Sequence, residues 1–108
     1  MKMIRTIAAA IILTTGIASA DSYTRNGTQH INVVENDGLL YCTRVSDGFE
    51  MCNGMKERAS GSWGGRTMKH PDMPGFMTFN GTVEFAETQL KIKGCAVGIC
   101  DSEVWARQ

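Results

Sequence analysis

The stretch Leu39-Leu40-Tyr41-Cys42-Thr43-Arg44-Val45-Ser46-Asp47-Gly48-Phe49-Glu50-Met51-Cys52-Asn53 reads as two strands around a turn. Leu39, Tyr41, Thr43 and Val45 alternate with Leu40, Cys42 and Arg44. Beyond Ser46-Asp47-Gly48, Phe49, Met51 and Asn53 alternate with Glu50 and Cys52. A period of two places alternate residues on opposite faces of a strand. A two-residue loop would set Val45 opposite Glu50 and mix the faces. A three-residue loop with Gly48 at the left-handed bulge position instead pairs Val45 with Phe49 and Thr43 with Met51 on one face. On the other face it sets Arg44 opposite Glu50 and Cys42 opposite Cys52. Directly opposed positions lie about 4.5–5.5 Å apart, within disulfide reach.

The same reading extends toward the C-terminus. Val83 and Phe85 pair with Ile92 and Leu90 if Glu87-Thr88 is the tip, and Glu84 then faces Lys91. A third return runs from Ile92 through residues 94–100 to Val104-Trp105; pairing Ile92 with Val104 sets Lys93 opposite Glu103 and leaves Trp105 near the barrel end. Asn26-Gly27, Asp37-Gly38, Asp47-Gly48 and Asn80-Gly81 supply the positive φ of tight turns. No window holds a sustained 3.6-residue apolar period. The chain is therefore expected to be all-β, a small antiparallel meander that closes into a barrel or curls into a partial barrel.

The N-terminus has another character. Lys2 and Arg5 precede an apolar run from Ile7 to Ile17 and an Ala18-Ser19-Ala20 box. A charged start, an apolar stretch of about 7–15 residues and a small-x-small site make a secretory signal peptide. The expected organisation is a signal over residues 1–20, cleaved before Asp21, and a single β domain over residues 21–108. The run falls short of the ~20 apolar residues of a membrane-spanning helix. The product would be exported, to the periplasm or outside the cell. The full chain has eleven Lys and Arg against eleven Asp and Glu. Removal of Lys2 and Arg5 leaves nine against eleven, without the basic footprint that nucleic-acid binding requires.

Four cysteines in an exported domain this small are expected to act as staples. Cys42–Cys52 follows from the hairpin register. Cys95–Cys100 is the natural remainder, with cross-pairing between the two hairpins as the alternative. Only Cys95 and Cys100 approach the spacing of zinc ligands. Met68, His70, Met73 and Met77, in a loop marked by Pro71, Pro74 and Gly75, form a weak candidate set for Cu(I), which favours thioether and imidazole ligands. The competing reading is a turn-rich loop whose methionines fill gaps in the core. No catalytic residue is assigned: His30 and His70 lie far apart, neither sits beside a nucleophile, and Ser60 and Ser62 fall in no Gly-x-Ser-x-Gly elbow. His30 is expected to be exposed, and Trp63 and Trp105 to serve packing. No cofactor is expected.

Gly81-Thr82-Val83-Glu84-Phe85, Leu90-Lys91-Ile92-Lys93-Gly94-Cys95, Gly98-Ile99-Cys100 and Trp105-Ala106-Arg107 together resemble the closing signature of a bacterial family of small exported proteins, domain of unknown function 2147. The resemblance covers roughly residues 63–107 and implies a small lipocalin-like β-barrel, with no settled activity. Two functions are expected from these readings. One is a non-catalytic exported barrel that binds a small apolar ligand or a protein partner. The other is a virulence effector acting in a host cell, with a host protein as its partner, since the layout is similar to type IV secretion substrates of intracellular alphaproteobacteria.

Overall fold

A computed structural model describes residues 19–108, and eight strands run through them in chain order. They are β1 (Ser19–Arg25), β2 (Gln29–Asn36), β3 (Leu39–Arg44), β4 (Glu50–Glu57), β5 (Trp63–Met68), β6 (Phe79–Phe85), β7 (Gln89–Ala96) and β8 (Ile99–Arg107). Each strand pairs antiparallel with the next, and β8 returns to β1, so the meander is a closed barrel. The seam is narrow: Tyr23 opposes Arg107 and Thr24 opposes Ala106. Around it Gln108 N–H donates to Ser22 O at 2.9 Å, and Arg107 pairs with Asp21 at 3.1 Å. Closure removes the free edges that a meander would otherwise expose. The expected signal peptide lies outside the described residues except for Ser19 and Ala20, which open β1.

The barrel has a plugged end and an open end. Tyr23, Ile31, Val33, Leu40, Cys42, Cys52, Met55, Trp63, Val83, Leu90 and Trp105 belong to one buried core cluster, and the plugged end carries the β2–β3, β4–β5 and β6–β7 connections. The open end carries the β1–β2, β3–β4, β5–β6 and β7–β8 connections. Both disulfides form with the expected connectivity, Cys42–Cys52 with Cα atoms 4.6 Å apart and Cys95–Cys100 at 4.0 Å. Cross-pairing between the hairpins is thereby excluded.

Registers agree in one hairpin and differ in two. Between β6 and β7, Val83 opposes Ile92, Glu84 opposes Lys91 and Phe85 opposes Leu90, as the sequence indicates. Between β3 and β4, Cys42 opposes Cys52, but Thr43 opposes Glu50 rather than Met51. Arg44 N–H donates to Phe49 O at 2.8 Å, which makes the loop the four residues Val45 to Gly48. The expected Val45–Phe49, Thr43–Met51 and Arg44–Glu50 pairs are therefore absent. The cause is Asp47: its carboxylate accepts from Arg44 Nε at 3.0 Å, Arg44 Nη2 at 2.6 Å and Phe49 N at 3.1 Å. That clamp holds the turn together and takes the guanidinium that Glu50 would have needed. Val45 is exposed, and the inward face of β3 is Leu40 and Cys42.

Two bulges follow in β4. Met51 is the extra residue between the Cys42–Cys52 and Thr43–Glu50 pairs, and Gly54, at φ +73°, is the extra residue between Tyr41–Asn53 and Leu40–Met55. A bulge shifts the inward parity by one. Met51, Cys52 and Met55 are consequently all buried on a single strand.

In the last hairpin the pairing is offset by one from the expected register. Ile92 opposes Glu103 and Lys91 opposes Val104, because the chain reverses in two residues, Val97-Gly98. Both take positive φ, +52° and +78°. A β-branched residue rarely occupies that conformation, so its sequence gave no sign of the tight turn. The one-residue offset turns Glu103 into the barrel and Val104 out to solvent.

Candidate functional site: the barrel mouth

A cavity of about 580 Å³ opens at the loop end of the barrel. Its walls come from three regions. Met51 enters from the bulge of β4, and Met68, Lys69, His70, Asp72, Met73, Met77 and Phe79 from the end of β5 through the following loop. Ile92, Gly94, Ala96, Val97, Ile99, Asp101, Glu103 and Trp105 come from the β7–β8 hairpin. The volume falls within the range of small-molecule sites, about 300–1,000 Å³. Most of the lining is aliphatic, aromatic or thioether.

Met68 reaches the cavity because Gly81 lies beneath it. A Cβ built at Gly81 would stand 1.5 Å from Met68 Sδ, so the Met68 side chain lies directly over the glycine in this arrangement. The β5–β6 loop is held by hydrogen bonds to β4 and within itself. Lys69 N–H donates to Met51 O at 3.0 Å, Lys69 Nζ to Gly75 O at 2.7 Å, and Met73 N–H to His70 O at 3.1 Å.

One polar cluster stands at the inner wall. Arg25, only 3% exposed, donates from Nε to Glu103 Oε1 at 2.7 Å and from Nη2 to Glu103 Oε2 at 2.9 Å. Its Nη1 donates to Gln29 Oε1 at 2.9 Å. Trp105 Nε1 donates to Glu103 Oε1 at 2.9 Å, and His70 Nε2 lies 3.4 Å from Glu103 Oε2. A bidentate guanidinium–carboxylate pair is the arrangement that tolerates burial. The Arg25 hydrogen bonds, followed by that of Trp105, outweigh desolvation and hold the Glu103 carboxyl at a pKa of about 2. Contact with Glu103 raises the Arg25 pKa in turn. Both groups are ionised at any physiological pH.

The geometry assigns the His70 tautomer. Its Nδ1 accepts from Asp72 N–H at 3.1 Å, so the ring proton sits on Nε2, facing the Glu103 carboxylate. Arg25 Nη2 lies 3.5 Å from the same nitrogen.

The structure therefore brings Met68, His70, Met73 and Met77 to one cavity, in the loop the sequence indicated. Both imidazole nitrogens are already engaged. Among the described residues no three His, Cys, Asp or Glu side chains are placed to share a metal ion. His30 is exposed on β2, its Nδ1 2.7 Å from Gln108 Nε2. Trp63 and Trp105 are core residues, and Trp105 also borders the cavity. Among the described residues no helix is long and apolar enough to cross a membrane.

Arg25 and Glu103, the pair that organises the site, were not singled out from sequence. One signal was present: Glu103 precedes Trp105 by two residues, so a buried Trp105 places Glu103 on the same inward face. Compared with known proteins, the chain matches no family model, no curated protein and no solved structure.

Proposed function

We propose that this protein is a non-catalytic binding barrel, taking a small apolar ligand into the mouth between the β5–β6 loop and the β7–β8 hairpin. The observation that carries the reading is the open 580 Å³ cavity, walled by Met51, Met68, Met77, Phe79 and Ile92 and provided with a single fixed polar cluster. A few convergent polar groups in an otherwise apolar hollow are the usual composition of a ligand site. Four methionines make the wall adaptable, because unbranched thioethers repack around differently shaped ligands. The copper reading is weaker, since the only imidazole of the set has both nitrogens committed.

Export belongs to the same proposal. Two disulfides suit an oxidising compartment, and intact mass of the exported protein should give an N-terminus at Asp21; retained Met1 would contradict it. A protein partner, including a host protein in the effector reading, is favoured by one further observation. Val97, Phe76 and Ile99 stand around the mouth at 99%, 86% and 76% exposure.

The ligand reading is tested with the neutral apolar fluorophore phenylnaphthylamine. Saturable binding with enhanced emission is expected, and Ala96→Trp, which fills the cavity from β7, should abolish it while the circular dichroism spectrum persists. Binding unaltered by Ala96→Trp would place the fluorophore elsewhere and overturn the proposal.

A further inference from the structure

The charges around the cavity are not balanced in a way that suits every amphiphile. Asp72, Asp101 and Glu103 line it, against one lysine, Lys69, whose ammonium donates to Gly75 O at 2.7 Å. Arg25 offers nothing to an incoming anion. Its Nε and Nη2 are spent on Glu103, its Nη1 on Gln29, and the residue is sealed from solvent. An acid head group entering the mouth would meet three carboxylates, with the Lys69 ammonium, already held on Gly75 O, as the one lining cation.

A cationic head meets the reverse situation. Glu103 Oε1 is saturated by Arg25 and Trp105, but Oε2 has one short donor, Arg25 Nη2 at 2.9 Å, and one long one, His70 Nε2 at 3.4 Å. That second position can take a better donor from the cavity side. Asp72, on the β5–β6 loop, and Asp101, on β8, line the same cavity and add negative charge to it.

We propose that the mouth selects apolar amphiphiles with a primary amine or other hydrogen-bond-donating cationic head, the head set against Glu103 and the tail among Met51, Met68, Met77 and Ile92. This inference rests on the cavity being a ligand site. The carboxylate remains ionised throughout the physiological range, as its pKa of about 2 requires. Selection then comes from the excess of fixed negative charge in a partly desolvated hollow, where charge complementarity discriminates between partners more than apolar area does.

Three probes with one tail test it: decylamine, decanol and decanoate, titrated by calorimetry into the disulfide-bonded protein at neutral pH and low ionic strength. The expected order is amine, alcohol, acid, with at least a tenfold preference for decylamine over decanoate. Glu103→Gln should reduce that ratio severalfold. If loss of the charge unfolds this variant, the exposed pair Asp72→Asn with Asp101→Asn is read instead and should also narrow the ratio. Equal affinities, or a preference for decanoate, would overturn the selectivity while leaving the cavity reading intact. Failure of all three to bind would overturn both.

Discussion

The two disulfide-closed hairpins of this barrel are built for different tasks. In β3–β4 the Cys42–Cys52 bridge is fully buried, surrounded by core side chains and flanked by two bulges, with Met51 and Met55 both buried. In β7–β8 the Cys95–Cys100 bridge lies at the mouth, with Cys95 half-buried and Cys100 exposed. It closes a turn whose first residue, Val97, combines a left-handed backbone with near-complete exposure. The first hairpin binds the core together; the second holds a strained apolar tip beside the cavity. Strain of that kind persists where surrounding structure enforces it, and it concentrates at functional sites.

That contrast predicts unequal losses. The bridged cysteines are ten residues apart in the first hairpin and five in the second. Chain-entropy estimates for such loops are about 2.7 and about 2 kcal/mol. Replacing Cys42 and Cys52 together by Ala also empties volume in the core, so a total of roughly 3–4 kcal/mol is expected. Replacing Cys95 and Cys100 by Ala should cost roughly 2 kcal/mol or less, yet weaken phenylnaphthylamine binding more. Denaturant melts and fluorescence titrations of both pairs check the division. Equal stability loss with equal binding loss would erase the distinction.

The next effect is acid sensitivity. The Glu103 carboxyl falls from an ordinary 4.5 to about 2 in the folded chain. A depressed acid contributes stability above its unfolded pKa and loses it as pH falls toward the folded value. Stability should therefore decline between about pH 4.5 and pH 2, by roughly 1–2 kcal/mol after allowance for solvent screening at the mouth. Glu103→Gln should flatten that part of the profile. A profile as steep in the variant as in the wild type would assign the acid loss to other carboxylates.

Val97→Asn is expected to act in the opposite sense and more weakly. Asparagine accepts the left-handed conformation of a two-residue turn, which a β-branched residue resists. Thermal melts should rise by the equivalent of about 1 kcal/mol, while binding at the rim falls. A destabilised variant would mean that Val97 makes a stabilising contact in the folded chain.

Legibility from sequence followed local rules and stopped where side chains overrode them. The alternation of Val83, Phe85, Leu90 and Ile92 and the Glu84–Lys91 match identified the β6–β7 register, although Glu87-Thr88 is an unfavoured tip. The Cys42–Cys52 pair was readable for the same reason. Beyond it, Asp47 captured Arg44 within the turn, a contact that strand alternation does not report. Val97 hid the two-residue reversal, and with it the inward turn of Glu103. The site was correspondingly half visible: the methionines and His70 stood out by composition, while Arg25 and Glu103, separated by 78 positions, meet only when the barrel closes.

Amide NMR of the disulfide-bonded protein, titrated with decanol, tests the binding account most directly. Saturable shifts should appear at Met51, through residues 68–77, across residues 94–103 and at the Trp105 indole N–H, with Glu57, Trp63 and Ala86 at the plugged end unmoved. Shifts concentrated at the plugged end, or none that saturate, would contradict a ligand site at the mouth.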